Sequence, residues 1–297
     1  MPRTAPAFRG PSIAKPTVEG AVVYSGSLVC DIWKPSVATR PCLIILHGGA
    51  WADTPQTRNT VGFYGQVASR FARYGFAVVN ADYTPANAEP QDAVDDILAL
   101  VQFCRDNAAT YNMDATRVGI LGASSGGHAG LMAAITGTVG TTRPDAFIGW
   151  SPVTDMEDSY SFVPDEMENY FGVALSGNET LYRAWSPIDI VDSSCCPLRI
   201  VGSDNEEGDI GSEGPPVEQF TGMVTAASAV GVQAVSQIYS GTVHSLFDGK
   251  TPDNGVIGTN DIPASCAWLL DTLGQVVPAS ARSAAVGRSA AVGRAAA

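Results

Sequence analysis

The stretch Val118-Gly119-Ile120-Leu121-Gly122-Ala123-Ser124-Ser125-Gly126-Gly127-His128 changes character at Ser124. Before it, Val118 to Leu121 is a short apolar run of strand type; after it, Gly127 to Ile135 is rich in small, helix-compatible residues. A Gly-x-Ser-x-Gly pattern alone arises by chance, but between a strand and a helix it describes a sharp turn. Gly122 and Gly126 remove side chains that would collide across such a turn, and Ser124 is left to project its hydroxyl above the sheet edge. The helix that follows points its N-terminus and free amides at any negative charge developing there.

Outward from this turn, strand and helix alternate. Upstream, Cys42 to Leu46 is apolar throughout, as a strand covered on both faces should be. Phe63, Tyr64, Val67, Ala68, Phe71 and Ala72 recur at helical spacing and stop at Gly75; a strand-like run follows from Phe76 to Asn80, then a helix marked by Val94, Ile97, Leu98, Val101 and Cys104. Downstream, Phe147 to Trp150, Leu198 to Val201 and Val232 to Tyr239 read as strands, with helices over Val217 to Val230 and Ala264 to Leu273. An opening hairpin is expected at Val22 to Tyr24 and Leu28 to Trp33, around a Ser25-Gly26 turn. The alternation predicts a mainly parallel sheet flanked by helices. The acidic, aromatic segment at residues 154–186 lacks a clean period and reads as a small cap insertion. The domain is expected to span residues 21–278, with a loose segment at 1–20 and a low-complexity tail at 279–297 that repeats Ser-Ala-Ala-Val-Gly-Arg.

Composition narrows the function classes. Seventeen Lys and Arg against thirty Asp and Glu give a formal charge of −13, which repels phosphate backbones and anionic lipid surfaces, so nucleic acid is not an expected partner. No apolar run approaches the roughly 20 residues of a membrane span, and the first fifteen residues are broken by Pro2, Pro6 and Pro11, so a cytoplasmic protein is expected. Six cysteines and three histidines show no metal spacing; reduced core thiols, no metal and no cofactor are expected.

The chemistry-bearing residues follow from what a serine needs. Its hydroxyl is weakly nucleophilic and requires a histidine base within hydrogen-bond reach. His47 precedes the serine and His128 is tied to the helix after it, whereas His244 lies in the loop straight after the last strand, so His244 is the candidate base. His47-Gly48-Gly49-Ala50-Trp51 occupies the loop after a buried strand, where adjacent glycines let amides approach a substrate; Gly49 and Ala50, with Ser125 after the serine, are the candidate oxyanion donors. For His47 and His128 a bracing role is preferred. An acid is expected after Leu198 to Val201, and Asp204, Glu206 and Asp209 all qualify by position. Asp204 is favoured: it stands two residues past Gly202, where the strand should end, and its short side chain suits close approach.

In His47-Gly48-Gly49-Ala50-Trp51, Ala81-Asp82-Tyr83, Gly122 to His128, Ser186-Pro187-Ile188-Asp189 and His244, the chain resembles the α/β-hydrolase-fold esterase and lipase group: hormone-sensitive-lipase-like, carbohydrate-esterase-like and kynurenine-formamidase-like hydrolases. The likeness covers about Leu28 to Leu273. It implies a serine hydrolase of carboxylesterase type, with a catalytic triad of Ser124, Asp204 and His244 and an oxyanion hole, cleaving a small-molecule ester through an acyl-enzyme without a cofactor. Many relatives carry a third glycine where this chain has Ala50, and their acid's slot three residues after Gly202 holds Asn205 here. Counted from Pro197, about nine residues back in relatives, the acid would instead be Glu206. Two alternatives use the same fold: an enzyme catalysing cyclisation, C–C cleavage or elimination, and a non-catalytic small-molecule receptor, against which the retention of Ser124 and His244 weighs. Trp51, Tyr83, Phe171, Tyr182 and Trp185 are candidates to line the pocket.

Overall fold

Residues 15–36, 39–52, 58, 62–85, 89–206, 215–246 and 255–274 are described by the computed structural model. The chain runs β1 (Thr17–Ser25), β2 (Leu28–Lys34), β3 (Arg40–Leu46), α1 (Phe63–Arg73), β4 (Ala77–Ala81), α2 (Pro90–Asp106), α3 (Ala108–Tyr111), β5 (Met113–Ala123), α4 (Ser124–Thr136) and β6 (Ala146–Trp150). Four short helices follow, α5 (Met156–Ser159), α6 (Pro164–Phe171), α7 (Glu179–Ala184) and α8 (Pro187–Ile190), then β7 (Leu198–Ser203), α9 (Val217–Ala229), β8 (Ala234–Tyr239) and α10 (Ile262–Thr272).

One eight-stranded sheet has the order β1-β2-β4-β3-β5-β6-β7-β8. β1 and β2 pair antiparallel, as do β2 and β4; every later pair is parallel. The opening hairpin is longer than its apolar alternation suggests. β1 starts at Thr17, four residues before the expected domain start, because pairing of Thr17 with Lys34 and Val18 with Trp33 extends an exposed edge that carries little hydrophobic signal. The tail repeat and the first fourteen residues lie outside the described residues.

Both faces of the sheet are covered, which explains why the β3 sequence has no alternation. Leu43 and Ile45 pack under Val67 and Phe71 of α1 and Leu269 of α10; Ile44 and Leu46 pack on the opposite side with Ile97 of α2, Leu131 of α4 and Phe220 of α9. All four strand side chains are fully buried, each worth about 1.5–3 kcal/mol over exposure.

The topology also fixes where a ligand can approach. From β3 the chain goes to β4 on one side, and β5 returns to the other side of β3. At such a switch point the loops leaving two neighbouring strands part and open a crevice at their carboxyl ends. Leu46 is level with Gly122 across the β3–β5 pair, so the loop beginning at His47 and the turn at Ser124 leave the sheet side by side.

Candidate active site

The turn at Ser124 is shaped by its glycines. Ala123 is extended, at φ −112° and ψ 139°, and Ser124 swings to φ 52°, in the left-handed region that side chains rarely adopt. A Cβ on Gly122 would lie 2.3 Å from the Gly126 carbonyl oxygen, and one on Gly126 would lie 2.2 Å from the His47 carbonyl oxygen. No side chain fits at either place. The turn thus presents Ser124 at the head of α4, where the first amides have no acceptor within the helix.

His244 arrives from the loop after β8. Its Nε2 lies 2.8 Å from Ser124 Oγ, and its Nδ1 donates to Glu206 Oε2 at 2.8 Å. The histidine side chain is 14% exposed and the glutamate 2%, so the imidazole meets the crevice while the carboxylate stays behind it. Glu206 Oε1 accepts from the Ser203 amide at 2.6 Å and the Ser151 hydroxyl at 2.8 Å.

Asp204, the acid favoured from sequence, is not the partner of His244. Its amide donates to Tyr239 O at 3.0 Å, prolonging the β7–β8 pairing past the end of the strand, and its side chain is exposed. The chain curls back only afterwards, where the Asn205 amide meets Ser203 Oγ at 3.0 Å, and the next residue turns inward. The longer glutamate reaches from there. The count from Pro197 thus reaches the carboxylate that meets His244, whereas the short-side-chain argument points to Asp204, which does not meet it; Asp209 lies outside the described residues.

The loop after β3 leans on this turn. Gly48 is so close that a Cβ there would sit 3.0 Å from Ser124 Cβ. The Ala52 amide donates to Gly49 O at 3.1 Å, and both intervening residues, Ala50 at φ 53° and Trp51 at φ 58°, are left-handed, so Gly49 to Ala52 form a turn of type I′. Ala50 thus holds a backbone that glycine takes freely, which accounts for glycine in relatives at this place. Ser125 is buried in the first turn of α4. Ser125 thus adjoins the serine on the helix side, and Gly49 and Ala50 follow Gly48 in the loop that leans on it.

The BD-FAE family model matches residues 30–208, more than half of the chain. The chain belongs to the BD-FAE family. Esterase LipQ of Mycobacterium tuberculosis is 24% identical over 237 residues, covering 73% of this chain and 54% of LipQ, so the BD-FAE chain spans about half the length of that relative. Among solved structures, a truncated carbohydrate esterase from gut microbiota superposes with TM-score 0.74 at 20% identity, covering 92% of this chain and all of that one. The propionate-bound Est2 esterase of Thermogutta terrifontis gives TM-score 0.65 at 18% identity over 90% of this chain and 98% of its own. The fold of this BD-FAE chain is that of the α/β hydrolases.

Around the BD-FAE site, several side chains brace rather than face the crevice. His47 Nδ1 donates to Gly48 O at 2.8 Å and its ring stacks on Tyr83 at 4.6 Å, while the Tyr83 hydroxyl donates to His47 O at 2.7 Å. Burial lowers the His47 pKa, which favours the neutral ring. The Gly48 amide donates to the Tyr64 hydroxyl at 2.9 Å. His128 is fully buried: Trp51 Nε1 donates to its Nδ1 at 3.2 Å, and its Nε2 donates to Trp185 O at 2.9 Å. Desolvation holds the His128 pKa down to about 4. One neutral imidazole thus joins the β3 loop, α4 and the segment expected as a cap.

That segment forms helices α5 to α7, and Met156, Met167, Tyr170, Phe171 and Tyr182 enclose Trp51 with Val153. Tyr83 and Tyr182 direct their hydroxyls at backbone carbonyls and are buried, so they support loops. Ser151, Ser203 and Tyr64 are not singled out by sequence; a small polar residue at or just past a strand's carboxyl end, as in Trp150-Ser151-Pro152 and Gly202-Ser203-Asp204, is the signal that would have found two of them. All six cysteines are free and buried. Among the described residues no group of three or more His, Cys, Asp or Glu is arranged to hold a metal ion.

Proposed function

We propose that this BD-FAE member is a serine hydrolase that cleaves a small carboxylic ester through an acyl-enzyme intermediate. The observation that carries the reading is the unbroken relay from Ser124 Oγ through His244 to Glu206, each contact 2.8 Å long. His244 takes the Ser124 proton as Oγ attacks the ester carbonyl, and Glu206 fixes the imidazole tautomer and stabilises the imidazolium. The amides of Gly49, Ala50 and Ser125 receive the negative charge on the carbonyl oxygen. His244 then returns its proton to the departing alcohol, leaving an ester on Ser124. Water, deprotonated by His244, attacks that ester, and the acid product leaves with Ser124 restored.

LipQ and the gut-microbiota carbohydrate esterase carry esterase names, which supports the same reaction class. No helix among the described residues is long and apolar enough to cross a membrane. A cytoplasmic site of action is part of the proposal, and the six free cysteines support it, since thiols stay reduced there. The test is hydrolysis of p-nitrophenyl acetate, butyrate and octanoate by the parent protein and by Ser124→Ala. The reading expects turnover that falls to a residual level in the variant, and no turnover of any ester in folded parent protein would contradict it.

A further inference from the structure

Ser151 stands where glycine would be easier to accommodate. It follows Trp150 at the end of β6, has φ 44°, and is fully buried. A non-glycine residue in that region is strained, and strain of this kind persists where the surrounding structure requires the side chain. The backbone is pinned by the Ser151 amide, which donates to Val201 O of β7 at 2.7 Å. From this fixed point the hydroxyl makes two contacts. It donates to Glu206 Oε1 at 2.8 Å and accepts from the Ser245 amide at 2.9 Å.

Those two partners are the acid and the residue next to the base. Ser245 and Leu246 are themselves left-handed, at φ 57° and 63°, so the loop carrying His244 is held in a conformation that side-chain-bearing residues do not choose unaided. Because the Ser245 N–H occupies an oxygen lone pair of Ser151, the single hydroxyl proton is directed at the carboxylate. The Ser203 amide approaches the same carboxylate oxygen at 2.6 Å, which leaves Oε2 for His244. The Ser203 hydroxyl in turn donates to Thr242 O, two residues before the base.

We infer that Ser151 is a positioning residue for the relay: one hydroxyl, on a strained backbone, sets the separation between the acid and the loop that carries the base. The inference rests on the serine-hydrolase reading above. Its consequence is separable from stability, because Ser151→Gly removes the hydroxyl while relieving the backbone strain, so that loss of the Ser245 acceptor is offset.

The experiment is steady-state kinetics of Ser151→Gly against p-nitrophenyl acetate across pH, with thermal melts, and with Ser124→Ala alongside. Ser151→Gly should melt within a few degrees of the parent and keep KM within about twofold. Its kcat should fall about ten- to a hundredfold, as expected when a charge-assisted hydrogen bond is lost. The acidic limb of its profile should move to higher pH, because a carboxylate stripped of one donor holds the imidazolium more tightly. Ser151→Cys, nearly the same size but a weak donor, should lie between parent and glycine variant, and keeps the inference testable if the glycine variant does not fold. Parental kcat and an unmoved limb in folded Ser151→Gly, with turnover abolished in Ser124→Ala, would overturn this inference alone. Turnover that survives Ser124→Ala would instead remove the serine-hydrolase reading, and the inference with it.

Discussion

Gly126 lies so close to His47 that a Cβ on the glycine would be 2.2 Å from the His47 carbonyl oxygen, which locks the head of α4 against the loop that carries the candidate oxyanion donors. The atom in the way is backbone, not the end of a flexible side chain, so neither partner can yield without moving the loop.

Gly126→Ala should therefore disturb both stability and rate. Overpacking of this kind costs about 1–3 kcal/mol, and a displacement of about 1 Å between nucleophile and oxyanion donors costs on the order of a hundredfold in turnover. Thermal melts and kcat measured on the same preparation check this. An alanine variant with parental kcat would mean that the two elements are not held in register by this contact.

The acid is separated from its neighbours by substitution. Glu206→Gln keeps the size of the side chain but leaves His244 without a carboxylate, and a comparable change in a serine–histidine–aspartate relay lowers turnover about 10⁴-fold. Asp204→Asn should stay near parental activity, since Asp204 is exposed and, among the described residues, its backbone alone is engaged, with Tyr239. Turnover of the two variants, with folding checked by melts, decides between them.

That pair of residues also shows where the sequence stopped being informative. The turn at Ser124, the loop at His47 and the position of His244 after the last strand were readable because each is punctuated: glycines mark the backbone's tight places, and apolar runs mark strands buried on both faces. The choice among Asp204, Glu206 and Asp209 depended instead on how many residues past Ser203 the chain continues to pair with β8 before curling back. Hydrogen bonds of the Asp204 and Asn205 amides determine that, and they leave no mark in composition or periodicity. For Ser151 the sequence offers only a small polar residue past a strand; its role arises from two contacts distant in sequence, Glu206 and Ser245.

Activity should rise with pH along a single acidic limb, because an imidazole accepts a proton only when neutral. Of the three histidines, His47 and His128 both have pKa values lowered by burial, so both shed their proton at lower pH than an ordinary imidazole. A log–log plot of kcat/KM against pH should therefore approach a slope of one. A slope of two, or a flat line, would contradict the assignment of a lone titrating base.

His128 makes a separate prediction about stability. Its pKa is about 4 in the folded chain against 6.5 for an unperturbed histidine, so as pH falls the unfolded chain takes up the proton first. The stability that His128 contributes is complete above about pH 6.5 and is lost progressively toward pH 4, by about 3 kcal/mol in all. His128→Gln keeps a donor and an acceptor for Trp185 O and Trp51 Nε1 but cannot be protonated there, so its melting temperature should decline less between pH 7 and pH 4.5 than the parent's. Equal declines would show that the buried imidazole is not what acid attacks.

The central claim, that Ser124 is a nucleophile activated by His244, is tested most directly by treating the folded protein with a fluorophosphonate and locating the adduct by peptide mass spectrometry. A serine reacts this way only when its base and oxyanion donors are assembled around it. The account predicts one adduct, on Ser124, formed at a rate that collapses in His244→Ala. Stoichiometric labelling of another serine, or labelling of Ser124 that is as fast without His244 as with it, would contradict it.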